Sequence, residues 1–279
     1  MIYLLLAAAA SGCAVGQSAF TKSAAQRLGW QGQMAFNVVK MMAALICFFV
    51  IFMGNVTLHL PTVIYAIIYA VALFCSAYFG YLALMSGDMA LTSTLVSYNI
   101  IIPTAFGFIF LKEEINALKI LGFILLFISV YLLKSKSSGG KRSKIWLPCV
   151  LATFLGNGIG RIVQKLHQTA FPGAFCNEFT IYSSLFMCVA FLIAAIIKKE
   201  KAAGKSIKFA APAGILEGAN SYLLLLLSAK VNASVLFPIT TVFHMLFTAM
   251  VSRILFKDKL LPLQVVGIAI GIISIILIK

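Results

Sequence analysis

Apolar stretches of about 20 residues, joined by short polar links, follow one another along the whole chain. A helix needs about this length to cross the hydrocarbon of a bilayer. Ten stretches qualify: 2–21, 32–53, 62–84, 89–111, 116–133, 145–168, 173–197, 208–229, 232–256 and 260–278. Composition points the same way. Charged residues are only 10% of the 279, against about 25% in soluble domains, and mean hydropathy is +1.05. The expected fold is an all-α polytopic membrane protein with ten transmembrane helices. Ile2 to Ala14 lacks the charged start of a secretory signal and reads as part of the first span. All six cysteines lie inside apolar spans without a C-x-x-C pair, which fits small buried hydrophobes rather than a disulfide framework.

The net charge of +15 has a pattern. The links after spans 1, 5, 7 and 9 hold 15 of the 22 Lys and Arg, among them KSKSSGGKRSK (134–144) and the basic run 198–208. Basic loops between spans face the cytoplasm, so these four are expected inside and both termini outside. Basic residues confined to such loops, with no nucleic-acid-binding signature, argue against a nucleic-acid partner. The expected setting is a bacterial inner (plasma) membrane.

A weak internal repeat organises the spans. Lys112-Glu113-Glu114, Gly122, Ser129 and Lys134 return 145 residues later as Lys257-Asp258-Lys259, Gly267, Ser274 and Lys279. Lys22 and Lys165, and Phe36 and Phe179, are 143 apart. This divides the chain into a first five-helix repeat (1–133), a basic link (134–144) and a second repeat (145–279). Five spans is an odd number, so the second repeat runs inverted, an arrangement typical of secondary transporters.

Pro103, followed by Phe108-Ile109-Phe110-Leu111-Lys112-Glu113-Glu114 and Gly122, resembles the EamA-like branch of the drug/metabolite transporter superfamily. The copy from Ile254 through Lys259 with Gly267 carries the same resemblance, as do Asn157-Gly158 and Gln164-Lys165. Asp258 stands where the family usually has Glu. The resemblance implies that spans 1–4 and 6–9 line a central cavity, with spans 5 and 10 at the periphery or in a dimer contact. It also implies export of small metabolites. Family members are often described with cytoplasmic termini, whereas the loop charges here argue the opposite.

Ionisable groups within spans cost about 2.5–3.5 kcal/mol each on insertion scales and are functional candidates. Span 6 carries Thr153, Asn157, Gly160, Arg161, Gln164, Lys165 and Gln168 at three- and four-residue spacing, one polar face suited to a cavity. Against this, Lys165 and Gln168 could snorkel at a helix end. Span 8 carries Gly214, Glu217, Gly218, Asn220 and Ser221; its carboxylate suits a pair with Arg161 or Lys40, or a proton-coupling or amine site. Span 9 aligns Thr241, His244, Thr248 and Ser252, and His244 is the second proton-coupling candidate. Asn37 and Lys40 share a face of span 2. Thr94, Ser97, Tyr98 and Asn99 precede Pro103, which is expected to kink span 4. Span 1 offers Ser11, Gln17 and Ser18. Asn177 and Glu178 open span 7, with Glu178 expected at the interface. Pro212 and Pro238 are hinge candidates. Gly267 and Gly271 suit internal packing or a dimer face.

The expected substrate-binding set is therefore Asn37, Lys40, Tyr98, Asn157, Arg161, Gln164, Lys165, Glu217, Asn220 and His244. No enzyme motif, nucleotide loop, metal-ligand cluster or cofactor signature is present. The expected function is secondary transport of a small polar, carboxylate-bearing metabolite such as an amino acid by alternating access, with proton coupling as a further element. A passive channel or a lipid-linked-substrate flippase is the alternative. The expected partners are the small-molecule substrate, the bilayer and, for the glycine-lined face, a second copy of the chain.

Overall fold

A computed structural model describes residues 2–28, 32–52, 56–86, 92, 95–96, 98–114, 116–133, 143–200, 204–255 and 262–278. The helices with described bounds are α1 (Ile2–Leu28), α2 (Gln33–Ile51), α3 (Leu60–Ser86), α4 (Ile101–Ile109), α5 (Ala117–Leu133) and α6 (Trp146–Ala170). They continue with α7 (Cys176–Ile197), α8 (Gly204–Ser228), α9 (Ala233–Leu255) and α10 (Pro262–Ile278). Among the described residues, six helices (α1, α2, α3, α6, α7 and α8) contain stretches long and apolar enough to cross a membrane. Shorter apolar stretches occupy Tyr98–Ile109, Ala117–Ser129 and Ala233–Thr248.

The chain is an integral membrane protein, and α2 shows how its helices are partitioned. Its buried face carries Asn37 and Lys40 along with Met34, Met41, Ala44 and Phe48. Its exposed face carries Met42, Ile46, Phe49 and Val50. Polar groups turn inward and large apolar groups outward, as hydrocarbon solvent requires.

The helix type changes just before Pro103. A 3-10 turn at Tyr98–Ile100 leads into α4, and Pro103 sits in the first α-helical turn. First-turn N–H groups have no intrahelical partner, so the proline forfeits no helix bond there.

Two compact units are present. One joins Met1–Phe74 to Val163–Lys230, the other Cys75–Ile162 to Val231–Lys279. Each draws on both halves of the sequence. In the first unit, α8 packs along α1 and α2, and α7 along α2. In the second, α5 packs along α10, and α9 meets α4 and α10.

Helix starts recur at offsets of 143–145 residues. Ile2 and Trp146, Leu60 and Gly204 are 144 apart, Gln33 and Cys176 are 143 apart, and Ala117 and Pro262 are 145 apart. In the second unit, Ser129 Oγ donates to the Gly267 carbonyl at 2.7 Å and Ser274 Oγ to the Gly122 carbonyl at 2.8 Å. The earlier residue of α5 meets the later residue of α10 and vice versa, so the two helices lie antiparallel and exchange equivalent bonds. Gly271 lies against Ser129 and Val242. The glycine pair of α10 is thus used for internal packing, and that face is not open to a second copy.

Carboxylates close helix ends across the sequence halves. In the first unit, Glu200 accepts from the backbone N–H of Met34 and Ala35 in the first turn of α2, at 2.7 and 3.3 Å. At the positions 143 residues away the roles are exchanged. Glu178, in the first turn of α7, accepts from the Thr57 backbone N–H and hydroxyl at 3.1 and 3.0 Å. Glu178 is therefore buried and bonded rather than a loose interfacial group. In the second unit, Glu113 accepts from Ala233 and Ser234 N–H at 2.7 and 2.8 Å, capping α9. A methyl at Gly107 would strike this carboxylate, so the glycine makes the room that Glu113 occupies.

Two helix-terminal N–H groups and the positive end of a helix dipole favour the Glu113 charge. Glu113→Ala is therefore expected to cost about 1–2 kcal/mol. The exposed neighbour Glu114→Ala should leave the melting temperature of the detergent-solubilised protein nearly unchanged. Equal melting temperatures for the two variants would contradict the cap.

Candidate functional site

The first unit builds its polar site on two glycines. Gly214 and Gly218 stand one turn apart on α8. A methyl at Gly214 would collide with the Lys40 carbonyl, which is backbone and cannot swing aside, and one at Gly218 would collide with the Phe48 ring. Without side chains at these two positions α8 lies directly on α2. That contact sets Glu217 beside Lys40, with Nζ 2.5 Å from Oε2. The Lys40 side chain is 9% exposed and that of Glu217 27%. Oε2 is shut off from solvent, and the ammonium neutralises it. Of the two partners weighed for Glu217 from sequence, Lys40 takes the carboxylate.

One turn further along α8, Ser221 Oγ lies 3.0 Å from the Tyr69 hydroxyl. Gln164 Nε2 donates to Ser221 Oγ at 3.2 Å and to Tyr69 Oη at 3.4 Å. Lys165 Nζ donates at 3.0 Å to the carbonyl of Ser228, the last residue of α8. The final carbonyls of a helix lack intrahelical donors and carry partial negative charge, so an ammonium suits them. Lys165 and Gln168 are both buried. They do not snorkel. Asn37 is buried one turn before Lys40 on α2, and Asn220 is half-buried on α8. Tyr222 donates its hydroxyl to Asn177 Oδ1 at 3.2 Å.

Arg161, Asn157, Tyr98 and His244 belong to the second unit. The Arg161 guanidinium lies 5.4 Å from the centre of the Phe237 ring, a cation–π contact. His244 is half-buried on α9. Its stripe mates Thr241 and Thr248 turn their hydroxyls back to the carbonyls of Phe237 and His244. Thr153 likewise donates to the Cys149 carbonyl. The Tyr98 ring stacks on Phe127 at 5.8 Å. Asn157 is half-buried, and its neighbour Gly158 packs on Ile102. Ser11 and Ser18 bond carbonyls of their own helix, and Gln17 donates to Thr21. Thr94, Ser97, the Ser252 side chain and the motif Lys257-Asp258-Lys259 lie outside the described residues.

Sequence reasoning missed Tyr69, Thr62, His59 and His167. Thr62, Tyr65, Tyr69 and Ser76 follow at three-, four- and seven-residue spacing on one face of α3, a signal that was available but sparse. His167 follows Gln164 by three residues and so lies on the polar face of α6; its spacing was the available signal.

Residues 144–279 match the EamA-like transporter family. This stretch is EamA-like. The matching model describes a transporter family and covers just under half of the chain. It begins one residue before the second repeat expected from the sequence. No curated protein matches the chain. A crystal structure titled only as that of a protein superposes with a TM-score of 0.78 at 12% identity, over 99% of this chain and 95% of the other. That likeness concerns the fold alone. Within the EamA-like stretch lie Arg161, Gln164, Lys165, Glu217, Asn220 and His244.

Removing one partner of a buried ion pair costs about 3–5 kcal/mol because the other charge is left uncompensated. Lys40 is the more buried partner, so Glu217→Leu is expected to lower the melting temperature more than Lys40→Met. The double variant should recover part of the loss. Additive losses would show that the two groups do not interact.

Proposed function

We propose that the chain is a ten-span secondary transporter built from two inverted five-helix repeats, 1–133 and 145–279, joined by the basic link 134–144. It moves a small polar metabolite by alternating access. The helix offsets of 143–145 residues and the reciprocal serine bonds of antiparallel α5 and α10 support the inverted repeat. The observation that carries the substrate reading is the Lys40–Glu217 pair. One base and one acid, with no net charge, match a zwitterion, whose carboxylate and ammonium can exchange with the pair one for one. An amino acid or a related carboxylate-bearing compound is the substrate class, with Ser221, Tyr69, Gln164, Asn37 and Asn220 as neighbouring polar contacts. Lys165 completes this set in the first unit; Arg161, Asn157, Tyr98 and His244 are separate candidates in the second unit.

Glu217 keeps part of its surface open while Lys40 does not, which suits it to exchange a proton or an amine. The protein works as an exporter in a bacterial plasma membrane, with its four basic loops in the cytoplasm.

Thermal stabilisation of purified protein by a panel of amino acids, sugar phosphates and organic cations tests this reading, with wild type and Glu217→Gln in parallel. Stabilisation by an amino acid in wild type, lost in a Glu217→Gln protein that still folds, is the expected result. Equal stabilisation of both returns Glu217 to a structural role. In proteoliposomes the flux of that ligand should saturate; unsaturable flux indicates a channel, and transfer of lipid-linked head groups a flippase.

A further inference from the structure

Away from the Lys40–Glu217 pair, the first unit holds a run of polar side chains where α3 begins, α6 ends and α7 begins. His59 Nδ1 lies 2.8 Å from Thr62 Oγ1. Thr62 Oγ1 lies 3.0 Å from His167 Nε2. His167 Nδ1 lies 2.9 Å from Gln168 Nε2. Thr62, His167 and Gln168 are almost wholly buried. The His59 ring stacks on Phe175 at 3.9 Å with 2° between the planes, and meets the Phe171 ring edge-on.

The direction of every bond in this run follows from the backbone at one end. The Gly173 N–H donates to Gln168 Oε1 at 3.0 Å, and Gln168 Nε2 donates to the Ala174 carbonyl at 3.3 Å. A flipped amide would set donor against donor and acceptor against acceptor, so the turn admits one orientation. The Gln168 NH₂ then faces His167 Nδ1, which must accept. A neutral imidazole that accepts at Nδ1 carries its proton on Nε2. His167 Nε2–H therefore donates to Thr62. The buried Thr62 hydroxyl still holds its own proton; donating it to His59 Nδ1 satisfies that proton, whereas accepting from both rings would leave it unpaired, so Thr62 O–H donates to His59 Nδ1. His59 in turn carries its proton on Nε2. Glu178 is bonded by Thr57 and stays out of the chain.

We propose that the α6–α7 turn sets the tautomers of two histidines through a one-way hydrogen-bond chain, Gln168 to His167 to Thr62 to His59, ending in a fixed donor at His59 Nε2–H. The chain ties the end of α6 to the start of α3 in a single protonation pattern. It also dead-ends at an amide, which does not pass protons onward. His167 is thus a positioning residue: it holds the turn of α6 that carries Gln164 and Lys165, and is not a proton carrier.

The test is two-bond ¹H–¹⁵N correlation on the full chain in nanodiscs, with ¹⁵N-labelled histidine. Its three histidines are assigned by His59→Gln and His167→Gln. Both His59 and His167 should show a protonated Nε2 and a bare Nδ1. Thr62→Val should leave His167 unchanged and give His59 averaged nitrogen shifts. Gln168→Leu should release both rings. A protonated Nδ1 on His167 in wild type overturns the proposal. So does a Thr62→Val protein in which His59 keeps its fixed tautomer, a result that stands whether or not Gln168→Leu folds.

Discussion

The backbone of Lys40 can rest against α8 only because residue 214 has no side chain. In water, two helices can be pressed together by the burial of any large apolar side chains. In lipid that force is absent between helices, and close backbone approach through small residues takes its place. Gly214 and Gly218 bring the α2 and α8 backbones near enough for a lysine and a glutamate to meet at 2.5 Å. The pair then makes two intramembrane charges tolerable. Ser221 and Asn220 owe their positions to the same face of α8.

The same scarcity of solvent explains where three other carboxylates go. Glu113 and Glu200 each accept two backbone N–H groups at the start of a helix from the other sequence half. Glu178 accepts two donors from Thr57. Helix ends leave orphan donors, and near hydrocarbon these are costly to leave unmade. The acidic signature after span 4 thus has a physical meaning: its first glutamate closes α9, and Gly107 provides the space. In the contacts 35/200 and 178/57, whose members are 143 residues apart in turn, the carboxylate stands on opposite partners.

Reading helix faces from residue spacing succeeded where the helix was strongly two-sided. Of the polar stripe of α6, Gln164, Lys165 and Gln168 are buried and bonded to protein, while Asn157 and Arg161 are half-buried. It was less informative for Thr153, Thr241 and Thr248, whose hydroxyls bond their own helix. Spacing cannot separate these cases, since a threonine can satisfy itself within one turn whereas a lysine or glutamine cannot. Pro103 was expected inside a continuous helix, and a sequence pattern does not show where a 3-10 turn hands over to an α-helix.

Sequence alone determined that this is a helical membrane protein, roughly where its helices lie and which faces are polar. These properties depend on local composition and periodicity, which each segment carries by itself. Partner choice was decided by tertiary structure. Lys40 and Glu217 are far apart in the chain, as are Gln164 and Tyr69, and Thr62 and His167; several alternative partners had the right chemistry. Which of them meet depends on how closely two backbones approach and at what register. That in turn rests on packing at a few glycines and on hydrogen bonds between helix ends, neither of which any single segment encodes.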